Sequence, residues 1–234
     1  NYETDVFRPI FDRLEKLSGK KYSSTLPKEG HTTYTEQEKI DIAFRVIADH
    51  IRTLGFSIAD GITPGNTDRN YLLRRILRRA VRYGRALDFH EPFFFQLVDV
   101  IADTMGDVFP ELRERKTIIQ DTIRGEETAF NKTLDRGIQL FSEKAETLSA
   151  GEELDGAFAF KLYDTYGFPL DLTELMARER GLKVDSNGFQ THMEAQRQRA
   201  RAAQQQEVIS VSQIKTTQPT NFLGFDQLQT EAKV

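Results

Sequence analysis

The side chains in this sequence that are best suited to chemistry are arginines gathered between positions 69 and 85. Seven of these seventeen residues are arginine and none is acidic, although the whole chain carries a formal net charge of −4. A guanidinium group is permanently charged, and its paired N–H donors match the oxygens of a phosphate or a carboxylate. The run predicts contacts with anions, either nucleic-acid phosphates or acidic side chains of neighbouring helices, and the pattern leaves both open. The seven are Arg69, Arg74, Arg75, Arg78, Arg79, Arg82 and Arg85.

Two polar side chains at predicted turns are candidates for contacting a nucleic-acid base. Asn66, in the turn "PGN", carries both a donor and an acceptor, and its ordinary alternative is to occupy a turn or a helix cap. Asp164, in "LYDTYGFP", can accept a hydrogen bond from an amino group on a base edge. Its ordinary alternative is a local hydrogen bond in the turn. The residue types alone do not decide between these roles.

Several kinds of site are excluded by what the sequence lacks. The chain has no cysteine, which excludes disulfides and thiolate metal sites. Neither a phosphate-binding P-loop nor a GxSxG nucleophile motif is present. The four histidines are scattered without a partner at metal-binding spacing, so we predict no metal ligand and no catalytic residue. No apolar run approaches the roughly 20 residues that a membrane span needs, so we expect a soluble protein without a membrane partner.

Helices must position these candidate residues, because most of the 234-residue sequence has helical periodicity. The arginine run predicts a helix over about 69–85, with apolar residues on one side and arginines on the other. Another helix is predicted to begin with a capping box, Thr35 and Glu38, and to end at Gly55. The fold class is therefore all-α, with a short β-leaning C-terminal tail. Further helices are predicted over 2–17, 92–105, 112–148, 155–167 (with Asp155 as N-cap), 169–181 and 189–207.

Two long blocks of the sequence resemble the alanyl-tRNA synthetase family. They are "FSIADGITPGNTDRNYLLRRILRRAVRYG" at 56–84 and "KLYDTYGFPLDLTELMARERGLKVDSNGFQTHMEAQRQRAR" at 161–201. "NYETDVFRPI" at the start is similar to the sequence that follows that family's catalytic domain, and "TNFLGFDQL" is similar to the opening of its editing domain. We therefore expect a fragment of a longer protein. The resemblance implies a helical tRNA-recognition module of a class II aminoacyl-tRNA synthetase, a cytoplasmic ligase.

The resemblance also implies what this module binds. In that family it recognises the acceptor stem of alanine tRNA, where an Asn and an Asp read a G·U wobble pair from the two grooves. By motif position these residues are Asn66 and Asp164, with Asp171 as a weaker candidate. The arginine helix matches a segment that contacts the tRNA backbone, with Arg78 and Arg79 as the foremost candidates. The full set of implied backbone-binding residues is Arg69, Arg74, Arg75, Arg78, Arg79 and Arg82.

According to the resemblance, the family's other functions belong to other parts of the enzyme. The motifs that bind ATP, magnesium and alanine precede this segment and the zinc-associated editing site follows it, so we expect no cofactor here and no activity from the isolated chain. We predict an N-terminal helical subdomain over 1–110 and a C-terminal one with long helices over 111–210. Residues 211–234 are predicted to form a linker and the start of a truncated editing domain. The catalytic and editing domains of the same polypeptide are expected partners.

One short stretch departs from the family's pattern. The sequence reads Asp68-Arg69-Asn70 where the family commonly has Gly-Arg-Gly, and we expect Asp68 to serve as the N-cap of the arginine helix. The alternative function is a structural or interaction module that links the catalytic and editing domains without direct RNA readout. The two functions are distinguished by whether the guanidinium groups are exposed or already paired with carboxylates.

Overall fold

The computed structural model describes residues 2–27 and 34–206, and over these residues the chain is predominantly helical. The predicted β-leaning tail over 211–234 lies outside the described residues. Two two-residue strands, β1 (Glu153–Leu154) and β2 (Lys183–Val184), pair in parallel in the register Glu153 with Lys183. The helices of the described ranges are α1 (Arg8–Ser18), α2 (Glu36–Ala59), α3 (Asp68–Gly84), α4 (Leu97–Met105), α5 (Glu111–Glu114), α6 (Lys116–Ala145), α7 (Gly156–Tyr166), α8 (Leu170–Arg178) and α9 (Ser186–Gln206).

Three predicted helix ends that rest on capping chemistry are confirmed. The Thr35 side chain accepts from the backbone N–H of Glu38, and the Thr35 N–H donates to the Glu38 carboxylate at 2.7 Å, which completes the capping box. Asp155 accepts from the backbone N–H of Ala157 at 2.8 Å and so caps α7. Gly19 ends α1 in the left-handed conformation, with φ of 71°. Short polar side chains and glycine therefore mark these boundaries as the sequence indicates.

The predicted end of α2 at Gly55 is wrong, because this glycine serves packing and does not terminate the helix. The helix continues through Gly55 to Ala59. Gly55 is buried, and a Cβ atom placed on it would overlap Cδ1 of Ile101 on α4. The absence of a side chain therefore lets α2 and α4 approach each other closely.

Other boundaries also differ from the sequence prediction: α1 begins at Arg8 and not at residue 2, α8 ends at Arg178 and not at 181, and α9 begins at Ser186 and not at 189. Helix α4 begins only at Leu97, after a short 3₁₀ helix at Phe94–Gln96, and the predicted 112–148 helix is divided at Arg115. Asp68 is not the N-cap of α3: Thr67 occupies that position and Asp68 is the first helical residue, with φ of 49°. A positive φ is tolerated best by glycine and next by Asn or Asp, which accounts for an aspartate at this position.

The hydrophobic core is a continuous cluster that runs from Ile10 to Leu182. Helix α3 packs against α2 and α6, and its apolar stripe is buried while its arginines lie on the other side. Each fully buried leucine contributes about 1.5–3 kcal/mol through the hydrophobic effect, so this stripe fixes the rotation of α3 about its axis. The buried residues of α3 are Leu73, Leu77, Ala80, Val81, Tyr83 and Gly84.

The chain divides into two compact units, residues 1–193 and 194–234, of which the first contains every candidate site residue. In the second unit the described residues continue α9 as far as Gln206. The subdomain boundary that we predict at residue 110 stays a prediction. Within the described ranges, no helix has both the length and the apolar composition that crossing a membrane requires.

Candidate nucleic-acid interface

The arginine face of α3 lies against carboxylates from later parts of the chain. This face consists of Arg74, Arg75, Arg78, Arg79 and Arg82. Arg74 donates through Nε to Glu126 Oε2 at 2.9 Å and through Nη2 to Glu126 Oε1 at 2.5 Å. This bidentate pair joins α3 to α6, and only about a fifth of either side chain is exposed. A fork of two parallel charge-assisted hydrogen bonds fixes the guanidinium plane as well as its charge.

A second carboxylate, Asp171 on α8, lies between two arginines. Its Oδ1 accepts from Arg75 Nε at 2.8 Å and its Oδ2 accepts from Arg79 Nη2 at 2.6 Å. Both arginines keep 35% of their side-chain surface exposed, whereas Asp171 keeps only 15%. Asp171, the weaker sequence candidate for base readout, is thus held in place by two cations.

The C-terminal turn of α3 is held in the same way. Glu179 accepts from Arg82 at 3.0 Å and from the Tyr83 hydroxyl at 3.1 Å. Burial, with the nearby Glu179 charge, raises the pKa of Tyr83 to about 12, so the hydroxyl stays a donor. Just beyond the helix, Arg85 contacts Asp135 at 2.6 Å. Five of the seven arginines are therefore paired with carboxylates within 3.0 Å.

Arg78 is one of three candidate phosphate-binding residues that keep less than a fifth of their side-chain surface exposed. Its Nη1 donates to the carbonyl oxygen of Gly167, and its guanidinium carbon lies 5.1 Å from the centre of the Phe130 ring. Its Nη2 is 4.0 Å from Glu126 Oε2. Burial, followed by repulsion from Arg74, lowers the pKa of Arg78. Arg78 thus bridges α3, α6 and the turn after α7.

Arg69 differs from the other candidates because it is exposed on the first turn of α3. Across the described part of the chain, no ion pair involving Arg69 occurs within 4.0 Å. Its guanidinium group is therefore presented to solvent. Of the six arginines implied to contact a nucleic-acid backbone, it is the most accessible to a phosphate.

The two candidate base-reading residues both have exposed positions. Asn66 lies in the loop before α3, and its side-chain oxygen accepts from Nη1 of Arg74. Asp164 lies in the last turn of α7, one turn before Gly167, which has φ of 71°. Both residues are therefore tied to successive turns of α3, Asn66 through Arg74 and the Asp164 turn through Arg78.

The structure shows carboxylate partners for most of the arginine run. The interpretation as ion pairs with acids of neighbouring segments is confirmed for Arg74, Arg75, Arg79, Arg82 and Arg85. Backbone binding by the six candidate arginines stays a prediction. The sequence did not single out Glu126 or Glu179 as their partners. Each is one acid among many in the sequence, 52 and 97 residues from its arginine, and no local spacing marks it. Among the described residues, no group of three or more His, Asp or Glu is placed to hold a metal ion.

Comparison with known proteins agrees with the resemblance found in the sequence. The family described as tRNA synthetases class II (A) matches residues 1–234. The chain is 57% identical to an alanine–tRNA ligase of Akkermansia muciniphila over 97% of its own length and 24% of that protein. It is 45% identical to an alanine–tRNA ligase of Opitutus terrae over 100% of the chain and 28% of the relative. It is 47% identical to an alanine–tRNA ligase of Chlorobaculum tepidum over 99% of the chain and 26% of the relative. The chain thus spans about a quarter of the length of the relatives that it matches.

Proposed function

The chain belongs to the class II tRNA synthetases of the alanine type, and from that premise we propose that it recognises the acceptor stem of alanine tRNA. In this proposal it serves an alanine–tRNA ligase, which joins alanine to its tRNA with the free energy of ATP. The ATP with its magnesium, and the zinc of editing, act in other parts of that ligase. The catalytic and editing domains are its partners within the polypeptide.

The observation that carries the proposal is the joint placement of Asn66 and Asp164 around α3. A G·U pair leaves the guanine 2-amino group unpaired in the minor groove and displaces a uracil carbonyl into the major groove. The Asp164 carboxylate can accept from that amino group. Because the Asn66 oxygen already accepts from Arg74, its amino group is the part left to donate, and it suits the displaced carbonyl.

The arginines divide between two roles in this proposal. Arg69 is exposed, and Arg75 and Arg79 each keep about a third of their surface, so these three contact the tRNA backbone. Arg74, Arg78 and Arg82 keep less than a fifth, so they chiefly hold the scaffold. Backbone contacts supply affinity and register, whereas the two short side chains supply specificity.

The test measures aminoacylation by the full-length ligase that contains this chain, with stems carrying G·U or G·C at the recognised pair. Asn66→Ala and Asp164→Ala should each reduce the G·U preference in kcat/KM by about tenfold or more, since one base contact gives about 1–3 kcal/mol of discrimination. Exposed residues of the same types, in Asn187→Ala and Asp121→Ala, serve as matched controls and should keep the preference. A G·U preference unchanged in both test variants would overturn the proposal.

A second candidate function is a scaffold that links the catalytic and editing domains without reading RNA. The ion pairs between α3 and the carboxylates of α6 and α8 favour it, because they already neutralise most of the arginine face. This alternative predicts that substitutions of Asn66 and Asp164 leave G·U preference intact, while Glu179→Gln, which breaks an ion pair, reduces aminoacylation of both stems equally.

A further inference from the structure

We propose that Glu126 on α6 is a positioning residue, which fixes where the two base-reading side chains of the proposed function, Asn66 and Asp164, lie relative to each other. Glu126 contacts no base in this proposal. It acts through Arg74, which orients Asn66, and through Arg78, which holds the turn that follows Asp164. The inference rests on the proposed function, since it assigns a role to Glu126 only if Asn66 and Asp164 read the stem.

The first arm of this arrangement follows from the planarity of a guanidinium group. Glu126 occupies the edge of Arg74 that is formed by Nε and Nη2, at 2.9 and 2.5 Å. The remaining nitrogen, Nη1, lies in the same plane, and its direction is therefore fixed by the carboxylate. Nη1 donates to the side-chain oxygen of Asn66. A bidentate pair between α3 and α6 thus sets the orientation of an exposed amide in the preceding loop.

The second arm passes through Arg78, one helical turn beyond Arg74. Its Nη2 is 4.0 Å from Glu126 Oε2, and its Nη1 donates to the Gly167 carbonyl. Gly167 admits this contact because a Cβ atom there would lie 2.7 Å from Arg78 Nη1, and its φ of 71° also favours glycine. Arg78 therefore fastens the end of α7, and with it the last helical turn that carries Asp164.

Helix α6 supports both arms from one stripe of its surface. Glu126, Phe130 and Thr133 follow one another at the i, i+4 and i+7 positions, which share a helix face. Phe130 lies under the guanidinium of Arg78, and the Thr133 hydroxyl donates to the Tyr166 carbonyl at 2.8 Å. Glu126 is the charged member of this stripe and the one that reaches both arginines. Removing its charge breaks the bidentate pair with Arg74 and weakens the attraction to Arg78, while the apolar packing of α6 remains.

The experiment uses the full-length ligase with Glu126→Gln, which keeps the size of the side chain but removes its charge and one of its two strong acceptors. The G·U over G·C preference in kcat/KM should fall by about five- to fiftyfold, the range expected on loss of one member of a coupled network. Arg74→Lys keeps the positive charge and loses the fork, so it should lower the preference similarly while the salt dependence of tRNA binding is unchanged.

The matched control is Glu179→Gln, which removes another ion pair between α3 and a later segment, at Arg82, without touching either arm. It should lower the melting temperature but keep the G·U preference. The inference would be overturned if Glu126→Gln and Glu179→Gln lowered the G·U preference equally. It would also be overturned if Glu126→Gln left the G·U preference unchanged, or if Arg74→Lys did.

A double-mutant cycle separates this inference from the proposed function. If Glu126 acts partly through Asn66, Glu126→Gln should cost less preference in the Asn66→Ala background than alone. Strictly multiplicative effects would contradict that link. If Asn66→Ala and Asp164→Ala change nothing, the proposed function fails and the inference fails with it. If those two variants lose preference while Glu126→Gln does not, only the positioning role is lost.

Discussion

Adjacent residues on α6 show how differently one side-chain type behaves in two environments. Glu126 is partly exposed between two arginines, whereas the side chain of Glu127 is fully buried. Glu127 accepts from the backbone N–H groups of Phe93 and Phe94, at 2.9 and 3.1 Å, and so holds the start of the short 3₁₀ helix before α4. Burial raises the pKa of Glu127 to about 7, although these hydrogen bonds and Arg85 act in the opposite direction.

The raised pKa of Glu127 predicts a pH dependence of stability. Between its unfolded pKa, near 4.5, and about 7, the folded chain binds the proton more strongly than the unfolded chain does. The stabilisation is therefore complete below pH 4.5 and is lost as the pH rises through 7. The loss is on the order of 3 kcal/mol by pH 8, and denaturant titrations of the 234-residue chain from pH 5 to 8 measure it.

The control for this prediction is Glu127→Gln, which keeps an acceptor but does not titrate. The comparison must be a difference between the two chains, because His50 changes stability in the other direction. Burial, with a contribution from Arg79, lowers the pKa of His50 to about 4, so its stabilisation is lost as the pH falls below 6.5. Parallel pH profiles for the wild type and Glu127→Gln would contradict the prediction.

At the residue scale, the sequence predicted the kinds of candidate residue but not their connections. The family resemblance singled out Asn66 and Asp164, for which the residue types alone left ordinary turn roles open, and the structure places both at exposed positions. The orientation of the Asn66 amide depends on Arg74 and through it on Glu126, which is 52 residues from that arginine. No local rule of spacing connects side chains across such a separation.

The long helix α6 illustrates at the element scale how one residue type serves two purposes. Gly137 is buried, and a Cβ atom there would lie 2.7 Å from Cζ of Phe168 and closer still to Cε2. Gly125 is exposed on the same helix, and a Cβ atom there would meet nothing within 4 Å. The absence of a side chain at Gly137 thus leaves room for the Phe168 ring in the core, while Gly125 only lowers the helical propensity of its segment.

Alanine substitution should therefore have opposite effects at these two glycines. Gly137→Ala should destabilise the chain by about 1–3 kcal/mol, because the added methyl group overlaps a buried aromatic ring. Gly125→Ala should stabilise it by about 0.5–1 kcal/mol, because alanine has the higher helix propensity. Denaturant midpoints of the two variants measure both effects under the same conditions. Equal effects of the same sign would mean that α6 does not pack on Phe168 as described.

Several helix boundaries that local hydrogen bonding sets could be predicted from the sequence, although the predicted cap at Asp68 was wrong. The capping box at Thr35 and the cap at Asp155 belong to this class. Gly55 misled the prediction, since a glycine that ends a helix and one that admits a neighbouring helix are identical in sequence. The strands β1 and β2 were not predicted, because two residues are too few to show an alternating pattern.

At the scale of the whole molecule, carboxylates of the same chain neutralise most of the positive charge of the arginine face. The sequence could supply the net charge of −4 and the seven arginines, and so the expectation that acids would be available to pair with them. It could not say which acids, because Glu126, Asp171 and Glu179 reach α3 only after α6 and α8 have packed. Fewer cations than the sequence suggests are therefore accessible to RNA.

This internal balance predicts that the arginines of α3 contribute unequally to the salt dependence of tRNA binding. Each phosphate neutralised by the protein adds nearly one unit to the slope of log affinity against log salt concentration. Arg69→Ala should reduce the magnitude of that slope by about one and leave the melting temperature unchanged, because Arg69 is exposed. Arg82→Ala should leave the slope unchanged and lower the melting temperature, because Arg82 is paired with Glu179.

Titrations of the 234-residue chain with alanine tRNA at several salt concentrations, beside thermal melts of the same samples, measure both quantities. The two variants remove the same charge from the same helix, so non-specific effects of net charge cancel between them. An equal reduction of slope in both would mean that Arg82 leaves Glu179 to bind a phosphate. The arginine face would then open on RNA binding, and exposure in the unbound chain would no longer identify the contact residues.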